Sequence, residues 1–319
     1  SYFPHIMEGP FDRYDKLDAQ FREPHSLDYD VIKNGALLIM YGLFKKLVIA
    51  DRAGLIVSGI FDSQSAGGTS IFVGMLVYTL QLYADFSGCI DIVSGTSQMF
   101  GINVAENFRQ PFFSHSINEF WRRWHISLSS FFRDYVYIPL GGNRVSHVRH
   151  IINLLIVWAL TGFWHGASWN FLLWGLYYFV FLVLEKYVFS DRFQRTPKAV
   201  SHLLTLFVIS FGWMIFRCDK LSYVGKIFLG LFGLTGNGFT NYETTTALKA
   251  NFIFLIVAIL ACTPLVKTLG EVLQERAASE SKALTLMNVI NVAGPILLLL
   301  LSTAALVGDS YNPFLYFRF

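Results

Sequence analysis

Two histidines stand where a histidine is costly. His165 lies in "LTGFWHGASWN", between Trp164 and Gly166 in an apolar run, and His125 follows Trp124 in "FWRRWHISLSS", 40 residues earlier. Burial disfavours the imidazolium form, so a buried ring stays neutral and can accept a proton near neutral pH, as a general base must. Ionisable side chains inside apolar segments also tend to mark functional pathways. The plainer alternative for His165 is a neutral ring hydrogen-bonded between helices for structure alone. For His125 it is an interfacial side chain at the edge of an aromatic stripe. Taken together, the two suggest a shared cavity, in which one ring removes a proton from a hydroxyl while the other orients substrate or stabilises charge on an acyl oxygen. Asn118 and Ser129 are candidate hydrogen-bond partners of His125. Asp85 and Asp91, in "YADFSGCIDIVSG", and arginines such as Arg122 are candidates to line a channel, or else make helix-packing hydrogen bonds. No G-x-S-x-G elbow, P-loop or metal-ligand spacing occurs, so neither serine-triad hydrolysis nor a phosphate-binding loop has support, and no metal is called for.

The elements that position these residues are set by an apolar composition. Of 319 residues, 54% are hydrophobic and only 15% are charged, against about 25% charged in soluble domains. Apolar runs recur at 31–50, 71–84, 151–185, 203–216, 252–264 and 289–307, too many for a signal peptide or one anchor. The chain reads as an all-α, polytopic membrane protein forming one domain over 1–319. Residues 151–184 would make a helix of about 51 Å, against a hydrocarbon core of about 30 Å, so that run must break. The natural place is "TGFWHGASWN", where Gly162, Gly166 and Ser168 weaken the helix beside His165. At about 100° per residue, Trp121, Trp124, Leu128, Phe131, Phe132 and Tyr135 share one face, which predicts a single amphipathic helix, interfacial or packed into the protein rather than spanning, ended by "PLGGN". Lys45 and Lys46 predict that the first apolar segment lies near an interface or enters the bilayer only partly.

The net charge of +3 is spread through loops, which argues against nucleic acid and for membrane-flanking cations beside lipid; the same spread leaves orientation open. Cys89, Cys218 and Cys262 lie far apart and show no disulfide framework. The polar, Pro-rich start at Ser1 reads as the interior of a longer protein, and "NPFLYFRF" reads as a natural terminus.

The segments "NEFWRRWHISLSSFFRDYVYIPLGG" and "LTGFWHGASWNFLLWGLYY" closely resemble the signature regions of the membrane-bound O-acyltransferase superfamily. The resemblance is strongest to the bacterial branch of alginate O-acetyltransferases and D-alanyl transfer proteins, and extends through "SYFPHIMEGPFDRY", "YADFSGCIDIVSG" and "PFLYFRF". It implies a helical bundle with re-entrant or interfacial helices around a tunnel, without the additional N-terminal transmembrane helices of full-length relatives. It also implies that His165 is the principal catalytic residue and His125 the second, with Asn118, Trp121, Arg122, Trp124, Ser129 and Trp164 near substrate. No cofactor is bound permanently; acetyl-CoA is the implied donor. The acetyl group passes through the bacterial inner membrane to an extracytoplasmic SGNH-like partner, which places it on a polysaccharide such as alginate. D-alanyl transfer to teichoic acid, lipid acyl transfer and a membrane transporter stand as alternatives. Tyr316 supplies a hydroxyl in the aromatic tail and is a candidate acyl acceptor or tunnel plug, or else an interfacial anchor.

Overall fold

The computed structural model describes residues 2–5, 9–62, 66–189, 195–218, 220–240, 242–308 and 313–315; Tyr316 lies outside them. The described residues are 77% helical, with no strand among them. In order the helices are α1 (Tyr14–Arg22), α2 (Tyr29–Phe44), α3 (Asp51–Phe61), α4 (Gly68–Met99), α5 (Ile117–Arg123), α6 (Ile126–Phe132), α7 (His147–Trp164), α8 (Trp169–Tyr187), α9 (Lys198–Arg217), α10 (Leu221–Leu231), α11 (Tyr242–Ala250), α12 (Phe252–Ala261), α13 (Leu265–Ala277) and α14 (Ser281–Gly308). Among the described residues α4, α9 and α14 are long and apolar enough to cross a membrane. The chain forms two compact units, one from residues 1–56, 80–105 and 246–318, the other from 57–79 and 106–245. Each unit draws on separated stretches, so no boundary is visible along the sequence.

In the first unit, α2 begins where the Asp28 carboxylate accepts the backbone N–H groups of Asp30 and Val31 at 2.8 and 3.2 Å. It then runs antiparallel to α4 with the two backbones in contact. A methyl on Gly35 would lie 2.6 Å from the Gly95 carbonyl oxygen, and one on Gly42 the same distance from that of Gly88. Small residues allow such close approach where lipid supplies no hydrophobic drive between helices. Phe44, Ile49, Ala50, Ala84 and Ala258 form the buried core around this crossing.

A π-helical turn, Lys45–Ala50, carries the two lysines. Both side chains are buried rather than reaching for water. Lys45 pairs with Asp91 and donates to Ser87 at 3.2 Å. Lys46 donates to Asp51 and Asp85, each at 2.8 Å, and to the Pro313 carbonyl at 3.0 Å. Buried charges persist only when paired and hydrogen-bonded, so each lysine answers a carboxylate on α4 that would otherwise be intolerable.

In the second unit, α8 packs along α7, α9 and α5. The contact with α7 is again backbone to backbone. A methyl on Gly162 would sit 2.5 Å from the Phe171 carbonyl oxygen, and one on Gly175 would sit 2.3 Å from that of Trp158. The predicted break in the long apolar run is present, because α7 ends at Trp164 and α8 begins at Trp169. His165 caps α7 with its N–H on the Gly162 carbonyl at 3.1 Å, and Gly166 turns the chain at φ 150.

Candidate active site

The single amphipathic helix predicted around His125 is in fact two short helices and a π-helical turn, α5, α6 and Arg133–Tyr137. The break falls on His125 itself, at φ 47 and ψ 53 in the left-handed region. A non-glycine residue there is worth about 1–2 kcal/mol less than in ordinary helix and persists only where its surroundings enforce it. Those surroundings are the segment before α5. Arg109 N–H donates to the Arg123 carbonyl at 2.9 Å, and Ile126 N–H donates to the Asn107 carbonyl at 3.0 Å. Asn107, almost wholly buried, then accepts the Ser127 N–H at 3.2 Å and the Ser127 hydroxyl through Oδ1. The chain is thus clamped on both sides of the histidine. Helical periodicity carries no trace of such a clamp.

Upstream, α5 is fixed at its first turn. Ser116 accepts the Glu119 N–H at 3.1 Å, while the Glu119 carboxylate takes the His115 N–H at 2.7 Å, a reciprocal cap. Glu185 reaches over from the end of α8 and accepts the Ile117 N–H at 2.7 Å, placing negative charge at a helix N-terminus. Next to it, Lys186 and Tyr187 meet a third buried histidine that sequence reasoning passed over. His150 bridges the hydroxyls of Tyr137 and Tyr187, both at 2.7 Å, with Lys186 at 3.2 Å. The last turn of α8 therefore fixes both ends of the segment that carries His125.

The two histidines come together across Trp164. Its ring lies 6.1 Å from that of His125 and 4.7 Å from that of His165. Burial first, and then the neighbouring His165 ring, push the His125 imidazole down to about 3, so it is neutral at physiological pH. His165 faces Trp174 and Phe216, with centroids 5.0 and 5.1 Å away. Trp121 meets Trp158, Trp174, Tyr178 and Trp213 within 4.8–6.1 Å. Trp124 packs on Trp213 at 4.9 Å. The result is a packed aromatic cluster from α5, α7, α8 and α9 with both histidines against it.

The other candidates divide. Trp121, Trp124 and Trp164 belong to the cluster. Ser129 directs its hydroxyl to the Trp121 carbonyl at 3.3 Å, whereas Asn118 and Arg122 are exposed. Asp85 and Asp91 belong to the other compact unit, ion-paired to Lys46 and Lys45. The cluster residues missed from sequence, Asn170, Trp174 and Tyr178, carried a signal: their i, i+4, i+8 spacing puts them on one face of α8.

If Asn107 is what holds His125 in its left-handed conformation, Asn107→Ala should leave a folded protein, weakened by about 1–3 kcal/mol. Any reaction that uses the His125 ring should slow about tenfold or more through its misplacement. Thermal unfolding in detergent and single-turnover kinetics measure the two effects separately, and an unchanged rate would refute the clamp.

The sequence profile of the MBOAT, membrane-bound O-acyltransferase family, matches residues 1–224. The chain is 33% identical over 341 residues to the protein named "Probable alginate O-acetylase AlgI" of Azotobacter vinelandii, an alignment covering 99% of this chain and 68% of that protein. It is 38% identical over 242 residues to the "Peptidoglycan O-acetyltransferase" of Helicobacter pylori, covering 74% of this chain and 46% of the relative. To the "Teichoic acid D-alanyltransferase" of Bacillus subtilis it is 28% identical over 242 residues, covering 67% and 59%.

Proposed function

The chain belongs to the membrane-bound O-acyltransferase family, and from that premise we propose that it moves an acetyl group from acetyl-CoA through the bacterial inner membrane for O-acetylation of an extracytoplasmic polysaccharide. The observation that carries this reading is the meeting of His165 and His125 at Trp164, against a buried aromatic cluster at a helix break. A neutral imidazole beside a second one, away from bulk water, suits deprotonation of a hydroxyl more than it suits conduction of a charged solute. Acetyl is favoured over D-alanyl because the acetyl-transferring relatives are the more similar, at 33% and 38% identity against 28%. His165 acts as general base and His125 as orienting or charge-stabilising partner, with Trp121, Trp124 and Trp164 walling the acyl path. An SGNH-like enzyme outside the membrane takes the acetyl group onward to polymer hydroxyls such as those of alginate. Tyr316 would serve as an intermediate acceptor.

Membranes containing the protein and its polymer-modifying partner, given radiolabelled acetyl-CoA, should transfer label to polysaccharide. Label moving only from a D-alanyl carrier would replace the acetyl reading, and vectorial solute movement without any acyl transfer would replace the enzyme by a transporter.

A further inference from the structure

The aromatic cluster carries more hydrogen-bond donors than the described residues satisfy. The indole nitrogens of Trp121, Trp174 and Trp213 are buried and have no hydrogen-bond partner among the described residues, and the same is true of His165 Nδ1 and Asn170 Oδ1. Trp174 and Trp213 are 1% and 2% exposed, and Asn170 is 3% exposed. The three indoles form one group, with ring centroids 5.6, 6.1 and 5.9 Å apart for the pairs 121–174, 121–213 and 174–213. Each buried donor left unmade costs about 1–3 kcal/mol, and folded proteins tolerate few of them. Three in one cluster, against the side chain best placed as general base, therefore point to a ligand that completes them.

The chemistry of that ligand is constrained. Indole N–H donates and never accepts, and it does not titrate. What completes the cluster must therefore bring acceptor oxygens, which excludes an ammonium group. Trp174 is the indole in direct ring contact with His165, edge to face at 5.0 Å and 88°. Donors fixed on three helices before the substrate arrives need no reorganisation when charge appears, which is how oxyanion sites gain their effect.

We propose that Trp174, supported by Trp121 and Trp213, donates its indole N–H to the acyl carbonyl oxygen and is a catalytic residue of the transfer. The proposal rests on the acyl-transfer reading above, with a thioester as donor. His165 takes the proton from the acceptor hydroxyl as its oxygen bonds to the acyl carbon, and the carbonyl π pair moves onto oxygen, where the indole N–H groups hold the negative charge. Collapse of that intermediate re-forms the carbonyl and breaks the carbon–sulfur bond. The proton on His165 passes to the leaving thiolate, giving ester and free thiol.

The test replaces Trp174 by 3-benzothienylalanine, an isostere with sulfur in place of the N–H. Transfer from acetyl thioester should fall about 10²–10³-fold, in kcat more than in KM, with the melting temperature unchanged. An isosteric protein that transfers acetyl at the wild-type rate overturns the proposal and leaves water as the partner of these donors. Should the isostere fail to fold, resonance Raman of the indole N–H, resolved by subtracting Trp174→Phe, should shift when an acetonyl thioether analogue of the donor is added; an unshifted band overturns it equally. A wild-type protein that transfers no acyl group would instead remove the reading on which the proposal stands.

Discussion

Replacing His165 with alanine is expected to lower acyl transfer by about 10³-fold or more while leaving the protein folded. General acid–base catalysis by one positioned side chain contributes about 10²–10⁴-fold, and residues acting as a unit lose most of that effect when any one is removed. The position of His165 has a physical cause. The apolar run is too long for one crossing, the helix breaks after Trp164, and the ring is left against Trp174 and Phe216 with its Nδ1 buried and unpaired among the described residues. Because that nitrogen makes no hydrogen bond here that alanine would break, truncation costs little stability beyond the lost ring contacts. His125→Ala should differ. It would remove a side chain and also relax a left-handed residue, so transfer should fall by less, about 10–100-fold, with a measurable loss of stability. Single-turnover transfer of radiolabelled acetyl, paired with thermal unfolding in detergent, separates these outcomes. A His165→Ala protein that unfolds normally and transfers at the wild-type rate would move the chemistry away from this histidine altogether.

How much of this was legible beforehand depends on the physics behind each feature. The break at His165 was, because membrane thickness and helix rise are fixed quantities and one long run violates them. The face shared by Trp121 and Trp124 was, because aromatic periodicity survives interruption of the helix. The interruption itself was not. His125 adopts its left-handed conformation because Arg109 N–H donates to the Arg123 carbonyl and the Ile126 and Ser127 N–H groups donate to Asn107, and pairing across fourteen to twenty residues leaves no periodic signature. The partners of Lys45 and Lys46 were not legible either. Read alone, two lysines in an apolar segment argue for an interface, and only the α2–α4 crossing at Gly42 and Gly88 shows why Asp85 and Asp91 can reach them. Glu185 and His150 were overlooked for a related reason, since their partners lie on other helices and nothing local marks them.

Lys46→Met should be the most destabilising single change in the first unit. The Lys46 ammonium lies between Asp51 and Asp85 and also holds the Pro313 carbonyl, while the second oxygen of Asp85 accepts the Leu315 N–H at 2.8 Å. Removing the cation leaves two carboxylates in one poorly hydrated site, with side chains only 12% and 3% exposed. Breaking a buried pair from one side costs about 3–5 kcal/mol, a large share of the 5–15 kcal/mol that holds a typical protein together. Deleting the charges together is a different matter, because neutral, well-packed replacements of buried ion groups are often tolerated. The Lys46→Met, Asp51→Asn, Asp85→Asn triple variant should therefore recover most of the stability lost by Lys46→Met alone, a coupling that additive packing losses cannot produce. The segment at Pro313–Leu315 gives a second readout. It is held through main-chain atoms, so loss of Lys46 and Asp85 should expose it to limited proteolysis in the triple variant even where the melting temperature has recovered. Equal melting temperatures for Lys46→Met and wild type would mean that the carboxylates find another cation or take up protons, and the ion network would then be incidental to the fold.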